Sequence, residues 1–226
     1  MSVLPVLSLG FALGVAHATD ADHVIAISTM VTRRASSAPK GRLARLGSAL
    51  SPALGLGSLW GLGHTLTVIT VGGALIGFRL AMPASLGLGL ELCVAIMLVT
   101  LGALSLRRLT RDDHGSRRSP LQSVGVGVVH GLAGSAAVAL AVVSQVESPA
   151  LGIVYLGVFG LGTVVGMMLI TSALIMPLAL SPSSRRFVIW LQRAAGATSV
   201  AFGLALFVKI GFVDGLFTGS PTWHPH

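Results

Sequence analysis

The sequence predicts an all-α protein: one polytopic membrane domain of six transmembrane helices. Hydrophobic residues make up 53% of the 226-residue chain and charged residues only 10%, against about 25% charged in an ordinary soluble domain. The apolar residues fall into six long runs, and the basic residues collect in alternate connections between them. A bilayer helix uses about 20 apolar residues, so six fill roughly 120 positions and leave no room for a second globular domain. Residues 1–226 therefore read as a single domain. The one cysteine, Cys93, excludes a Cys-x-x-Cys relay, a thiolate zinc knuckle and an internal disulfide framework. A net charge of +8 would suggest nucleic acid in a soluble protein, but no aromatic-basic motif accompanies it, so no nucleic-acid partner is expected.

The first run, Val3 to about Val31, has no basic residue ahead of it and is too long for a signal-peptide core, so it reads as a first transmembrane helix and not as a cleaved leader. Further runs cover about Leu54 to Phe78, Ser85 to Leu106, Leu121 to Gln145, Ala150 to Leu180 and Phe187 to Phe212. Arg33, Arg34, Lys40, Arg42 and Arg45 fill the first connection. Arg107, Arg108, Arg111, Arg117 and Arg118 fill the third, about 107–120, and Arg185 and Arg186 follow the fifth. The second and fourth carry only Arg79 and Glu147. Cytoplasmic loops accumulate Lys and Arg, which places the odd connections inside, both termini outside, and the protein in the cell (inner) membrane as a multi-pass protein. The Arg33–Arg45 cluster could also attract anionic lipid.

Short internal similarities suggest a duplication. Gly14-Val-Ala-His17 of the first run matches Gly127-Val-Val-His130 of the fourth, and Gly61-Leu-Gly-His64 of the second matches Gly160-Leu-Gly-Thr163 of the fifth. Three helices repeated by three must cross in opposite senses, which gives a 3+3 inverted repeat (about 1–106 and 121–212) with a site near the midplane. At about 1.5 Å per residue, His17, His64 and His130 each fall near the middle of their spans. The pairs Gly10/Gly14, Gly57/Gly61, Gly127/Gly131 and Gly162/Gly166 have the spacing that lets helix backbones approach closely.

The segment His17-Ala-Thr-Asp20-Ala-Asp22-His23 puts two imidazoles and two carboxylates inside an apolar helix. Ionisable groups there cost several kcal/mol unless they face a partner or a wet cavity. On an ideal helix of about 100° per residue, His17, Asp20 and His23 share a face and Asp22 does not. Asp22 joins the site only if the helix is broken between Ala16 and His23; otherwise it orients a neighbour. Imidazole with carboxylate suits divalent nickel, cobalt or zinc, and the lack of thiolate argues against Cu(I). The candidate metal residues are His17, Asp20, Asp22, His23, His64 and His130.

These residues resemble a known group. HATDADHVIAI is similar to the H-x-x-x-x-D-H signature of the nickel/cobalt transporter family, and Leu62-Gly63-His64-Thr65-Leu66-Thr67-Val68 is similar to its Gly-His-Ser/Thr-x-x-Val motif. The resemblance implies a permease for nickel or cobalt in which His17, Asp22 and His23 select the metal and Gly63 and His64 belong to the translocation path. Larger members have a helix before the signature and a later acidic segment; here the signature is on the first helix and the later slot reads His130-Gly-Leu-Ala-Gly-Ser135-Ala. The chain looks more like the compact urease-accessory or HupE-type nickel permeases.

Other residues carry weaker signals. Glu91 reads as a proton carrier, an ion-pair partner or, foremost, a residue wet near the outer interface, Met167 and Met168 as packing, and Thr163 and Thr171 as path-lining candidates. Asp112, Asp113 and His114 read as a solvated loop, His224 and His226 as a weak capture site, and Arg193 as a snorkelling cation. The leading expectation is a metal-ion transporter, not an enzyme, with the ion as substrate, no cofactor, the lipid bilayer as surroundings and a homo-oligomer left open. An intramembrane enzyme, metal-dependent or built on Ser135 and His130, is the alternative. The absence of His-Glu-x-x-His and Gly-x-Ser-x-Gly motifs counts against it, as the lack of a soluble effector region counts against a sensor subunit.

Overall fold

A computed structural model of the chain describes residues 3–31, 42–78, 82–110, 120–133, 148–180 and 185–223. Seven α-helices occur among them: α1 (Val3–His17), α2 (Ala21–Val31), α3 (Arg42–Gly77), α4 (Ala84–Thr110), α5 (Pro120–Gly131), α6 (Pro149–Leu180) and α7 (Arg185–Val208), the last continued by a π-helical turn, Lys209–Val213. No strand occurs among the described residues. In lipid every backbone polar group needs an internal partner, which long helices supply. Four helical stretches, 46–77, 84–107, 149–177 and 186–213, are long and apolar enough to cross a bilayer, and α1 with α2 makes a further candidate bent by 52°. The protein is thus an all-helical, multi-pass membrane protein.

The first apolar run is two helices, not one, with the break inside the interval that the Asp22 argument requires. The second starts earlier than its apolar run, because α3 extends back to Arg42 across Pro52. Of the fourth run, Leu121 to Gln145, the described part is α5 and its terminal turn, so much of the fourth expected span lies outside the described residues.

Leu62 and Leu66 of α3, Leu161 and Leu169 of α6, and Trp190 of α7 are exposed, while Gly, Ala, Thr and His are buried beside Trp60, Tyr155, Phe159 and Leu98. This is what lipid selects: apolar tails solvate leucine as well as a neighbouring helix does, so small residues that permit close backbone contact decide which faces pack. The main pairings are α1 on α6, α5 on α3, α3 on α6 and α4 on α7.

These pairings are reciprocal down to single glycines. A side chain at Gly14 would strike the backbone of Phe159 and Thr163 on α6; one at Gly127 would strike Trp60 and His64 on α3. Gly162 faces the Phe11 carbonyl as Gly63 faces that of Val124. Between α4 and α7, Gly102 meets Gly196 and Val200, Gly203 meets Ala95 and Val99, and Ser199 donates to the Leu98 carbonyl at 2.8 Å between them.

After the π turn the chain doubles back. Lys209 pairs with Asp214 at 3.1 Å, Gly215 takes a positive φ of 83°, and Trp223 lays its indole on Gly87 while its Nε1 donates to Glu91 Oε1 at 2.9 Å. Glu91 therefore holds the end of the described chain against α4 instead of merely staying wet.

Candidate metal centre

The break between α1 and α2 builds the centre. Thr19 and Asp20 bond back to the carbonyls of Ala16 and His17, at 2.8 and 3.1 Å, in a tight turn that the Thr19 hydroxyl reinforces by donating to Ala16 at 2.6 Å. Local side-chain bonds of this kind compete with helix continuation. The Asp20 carbonyl then accepts from Val24 and opens α2. His17 is left in the last turn of α1, and Asp22 and His23 in the first turn of α2.

Two more elements close on this turn. α3 brings His64 and Trp60, held near by Gly127 and Gly131 of α5, and α5 brings His130 in its own last turn. His23, His64 and His130 are fully buried. The His17 ring centroid lies 4.5 Å from that of His23 and 5.1 Å from that of His64; His23 lies 5.5 Å from His64 and 4.3 Å from His130.

Both carboxylates hold imidazoles in place. Asp20 Oδ2 is 2.7 Å from His17 Nδ1, and Asp22 spans two rings, Oδ1 at 3.1 Å from His23 Nδ1 and Oδ2 at 3.1 Å from His130 Nε2. This leaves His17 Nε2, His23 Nε2, His130 Nδ1 and both His64 nitrogens buried without a hydrogen-bond partner. Leaving such groups bare costs about 1–3 kcal/mol each, and a carboxylate on one ring nitrogen with the other nitrogen free is how proteins orient histidine toward a metal. Two sets of donors lie within 4.8 Å of one another: His17, His23 and His64; and Asp22, His23 and His130.

All six candidate residues therefore meet at one place, in unequal ways. Asp20 is half exposed, with 52% of its side chain accessible, and touches only His17 within the cluster. Asp22 reaches the cluster because the helix is broken. Two aromatic residues that the motif argument passed over also belong here. Trp60 is stacked on His23 at 6.0 Å and lies 5.4 Å from His130, and Phe159 lies 5.7 Å from His17. Their signal was available: Trp60 precedes Gly61-Leu-Gly-His64 as Phe159 precedes Gly160-Leu-Gly-Thr163. Thr163 and Thr171 are buried but donate to their own helix, at the Phe159 and Met167 carbonyls, and Met167 is packed in the core. Ser135, Asp112, Asp113, His114, His224 and His226 lie outside the described residues.

Comparison with known proteins adds one result. No protein-family model matches the chain, and no solved structure matches it. The urease accessory protein UreH of Bacillus sp. (strain TB-90) is 33% identical over 233 residues, covering 96% of each chain. The chain belongs to the UreH family. This is the compact urease-accessory group that the His17–His23 signature and the Gly63-His64 pair resemble, and the likeness covers nearly the whole length of both proteins, not the motifs alone.

Proposed function

We propose that the protein carries a divalent first-row transition-metal ion, nickel or cobalt, across the cell membrane, with His17, His23 and His64 as its nitrogen donors. The observation that carries this is the set of unpartnered buried nitrogens on those three rings, each offering a donor within 4.8 Å of the others. Kinship with a urease accessory protein supports nickel among the candidate ions.

The field at the centre favours a cation. α1 and α5 both end there, at His17 and Gly131, with partial negative charge on their last carbonyls, against the single partially positive N-terminus of α2 at Ala21. Asp20 and Asp22 add formal negative charge, which lowers the cost of bringing a dication into a low-dielectric region.

The reciprocal contacts support the finer architecture. Exchange α1 with α5, α3 with α6 and α4 with α7, and each of the four main packing pairs maps onto itself or onto another of the four; Gly14 on Phe159 becomes Gly127 on Trp60. Such an exchange is what six spans in two inverted halves would produce, and with the basic residues of the odd connections inside that arrangement would put both termini outside.

The test is uptake of radioactive nickel, cobalt and zinc into proteoliposomes, with and without a pH gradient. Nickel or cobalt should enter, His17→Ala should abolish entry, and Ser135→Ala should leave it intact. A protein that moves none of the three ions, or one silenced by Ser135→Ala alone, overturns the reading.

A further inference from the structure

We propose that the ion has two mutually exclusive resting positions that share His23, and that it crosses the centre by stepping between them. This rests on the transport reading above. The first position is His17, His23 and His64; the second is Asp22, His23 and His130.

The two positions differ in readiness. In the first, the ring nitrogens not engaged by carboxylates are bare, so an ion enters without displacing a hydrogen bond. In the second, the donors are already bonded to each other: Asp22 accepts from His23 Nδ1 and His130 Nε2, both at 3.1 Å. Occupying it exchanges those two hydrogen bonds for coordination bonds. Each ring changes tautomer by exchange with water: a proton leaves His23 Nδ1 and His130 Nε2, and one is taken up on His23 Nε2 once the ion has left it and on His130 Nδ1, both of which are unpartnered.

His23 can serve both positions because its two nitrogens lie on opposite edges of one ring. Nδ1 faces Asp22, Nε2 is free, and the ring sits 4.5 Å from His17 on one side and 4.3 Å from His130 on the other. Trp60, stacked on His23 and against His130, keeps the ring from swinging away. The second position has Asp22, which alone among the described carboxylates spans two rings, and it lies against α5 instead of the α1 terminus, so the step takes the ion from one end-of-helix field to the other.

The experiment compares binding with transport in the full-length protein. Wild-type protein in detergent should bind one nickel(II) ion per chain by equilibrium dialysis, because the neutral His23 ring keeps a proton on one nitrogen and ligates only through the other. His130→Gln should keep nickel affinity within about threefold, since the first position is intact, yet slow nickel uptake into proteoliposomes by about tenfold or more. His17→Ala should lose binding and uptake together. Cobalt(II) loaded into the His130→Gln protein should keep the wild-type visible absorption bands, a readout that also shows the variant to be folded, and His130→Asn should behave the same way. Two ions per wild-type chain, normal uptake by His130→Gln, or loss of nickel binding by a folded His130→Gln each overturns the stepping scheme while leaving transport standing. A wild-type protein that neither binds nor moves nickel removes the transport reading itself.

Discussion

Asp22 and His130 are joined by a hydrogen bond, Oδ2 to Nε2 at 3.1 Å, across 108 positions of sequence. The contact ties the first turn of α2 to the last turn of α5, and it exists only because α1 stops at His17 and α2 restarts at Ala21 in a new direction. One carboxylate thus fixes two imidazoles from opposite halves of the chain.

Removing that carboxylate's charge while keeping its shape should loosen both rings. Asp22→Asn is expected to weaken nickel binding about 10- to 100-fold, the usual effect of losing a group that orients a metal-binding histidine. Calorimetric titration of the variant against wild type measures it. Asp20→Asn, at a half-exposed residue with one ring partner, should cost less.

Acid should release the ion. An imidazole nitrogen must be free of its proton to ligate, so protons compete with the ion for the histidine donors and affinity falls as pH falls. Nickel titrations run in buffers of different ionisation enthalpy should show heats that differ with the buffer wherever binding displaces protons. Affinity that stays constant on acidification would remove histidine from the ligand set.

The reciprocal glycine contacts make paired predictions about stability. Gly14→Leu and Gly127→Leu each drive a side chain into the backbone of the facing helix, with Phe159 and Trp60 in the way, and each should cost about 1–3 kcal/mol or prevent assembly. Gly73, with nothing within 4 Å of an added Cβ, is the control: Gly73→Ala should leave the thermal transition in detergent unchanged. Fluorescence-detected size-exclusion chromatography after heating ranks the four proteins.

The Trp223–Glu91 bond predicts a role for the end of the chain in holding α4. Trp223→Phe keeps the ring on Gly87 but leaves the half-buried carboxylate without its donor, a loss of about 1 kcal/mol. Glu91→Gln keeps an acceptor and should cost less. The same melting assay distinguishes the two.

Composition and apolar periodicity made the helical membrane architecture legible, and the charge cost of His17, Asp20, Asp22 and His23 in lipid made the centre legible. The break itself followed from one angular argument, that Asp22 cannot share a face with His17 on a straight helix. The partner of His130 was not legible, since hydropathy carries no information about which helices adjoin. Trp60 and Phe159 were passed over because an apolar aromatic in an apolar run gives no contrast; only their shared place before a Gly-Leu-Gly segment marks them. The bond from Trp223 to Glu91 was not legible for a similar reason: the two are 132 residues apart, and no local pattern encodes their contact.

α3 has 36 residues, about 54 Å at the usual helical rise, well beyond a hydrocarbon slab of about 30 Å. α1, with 15 residues, falls short of that slab by itself. A thicker or thinner membrane therefore leaves the long rod satisfied by a change of tilt, and the adjustment falls on the elbow that carries His17, Asp20, Asp22 and His23. On the proposed function, acyl-chain length should then act on the spacing of the four side chains, and nickel affinity in bilayers of short and long lipids should differ.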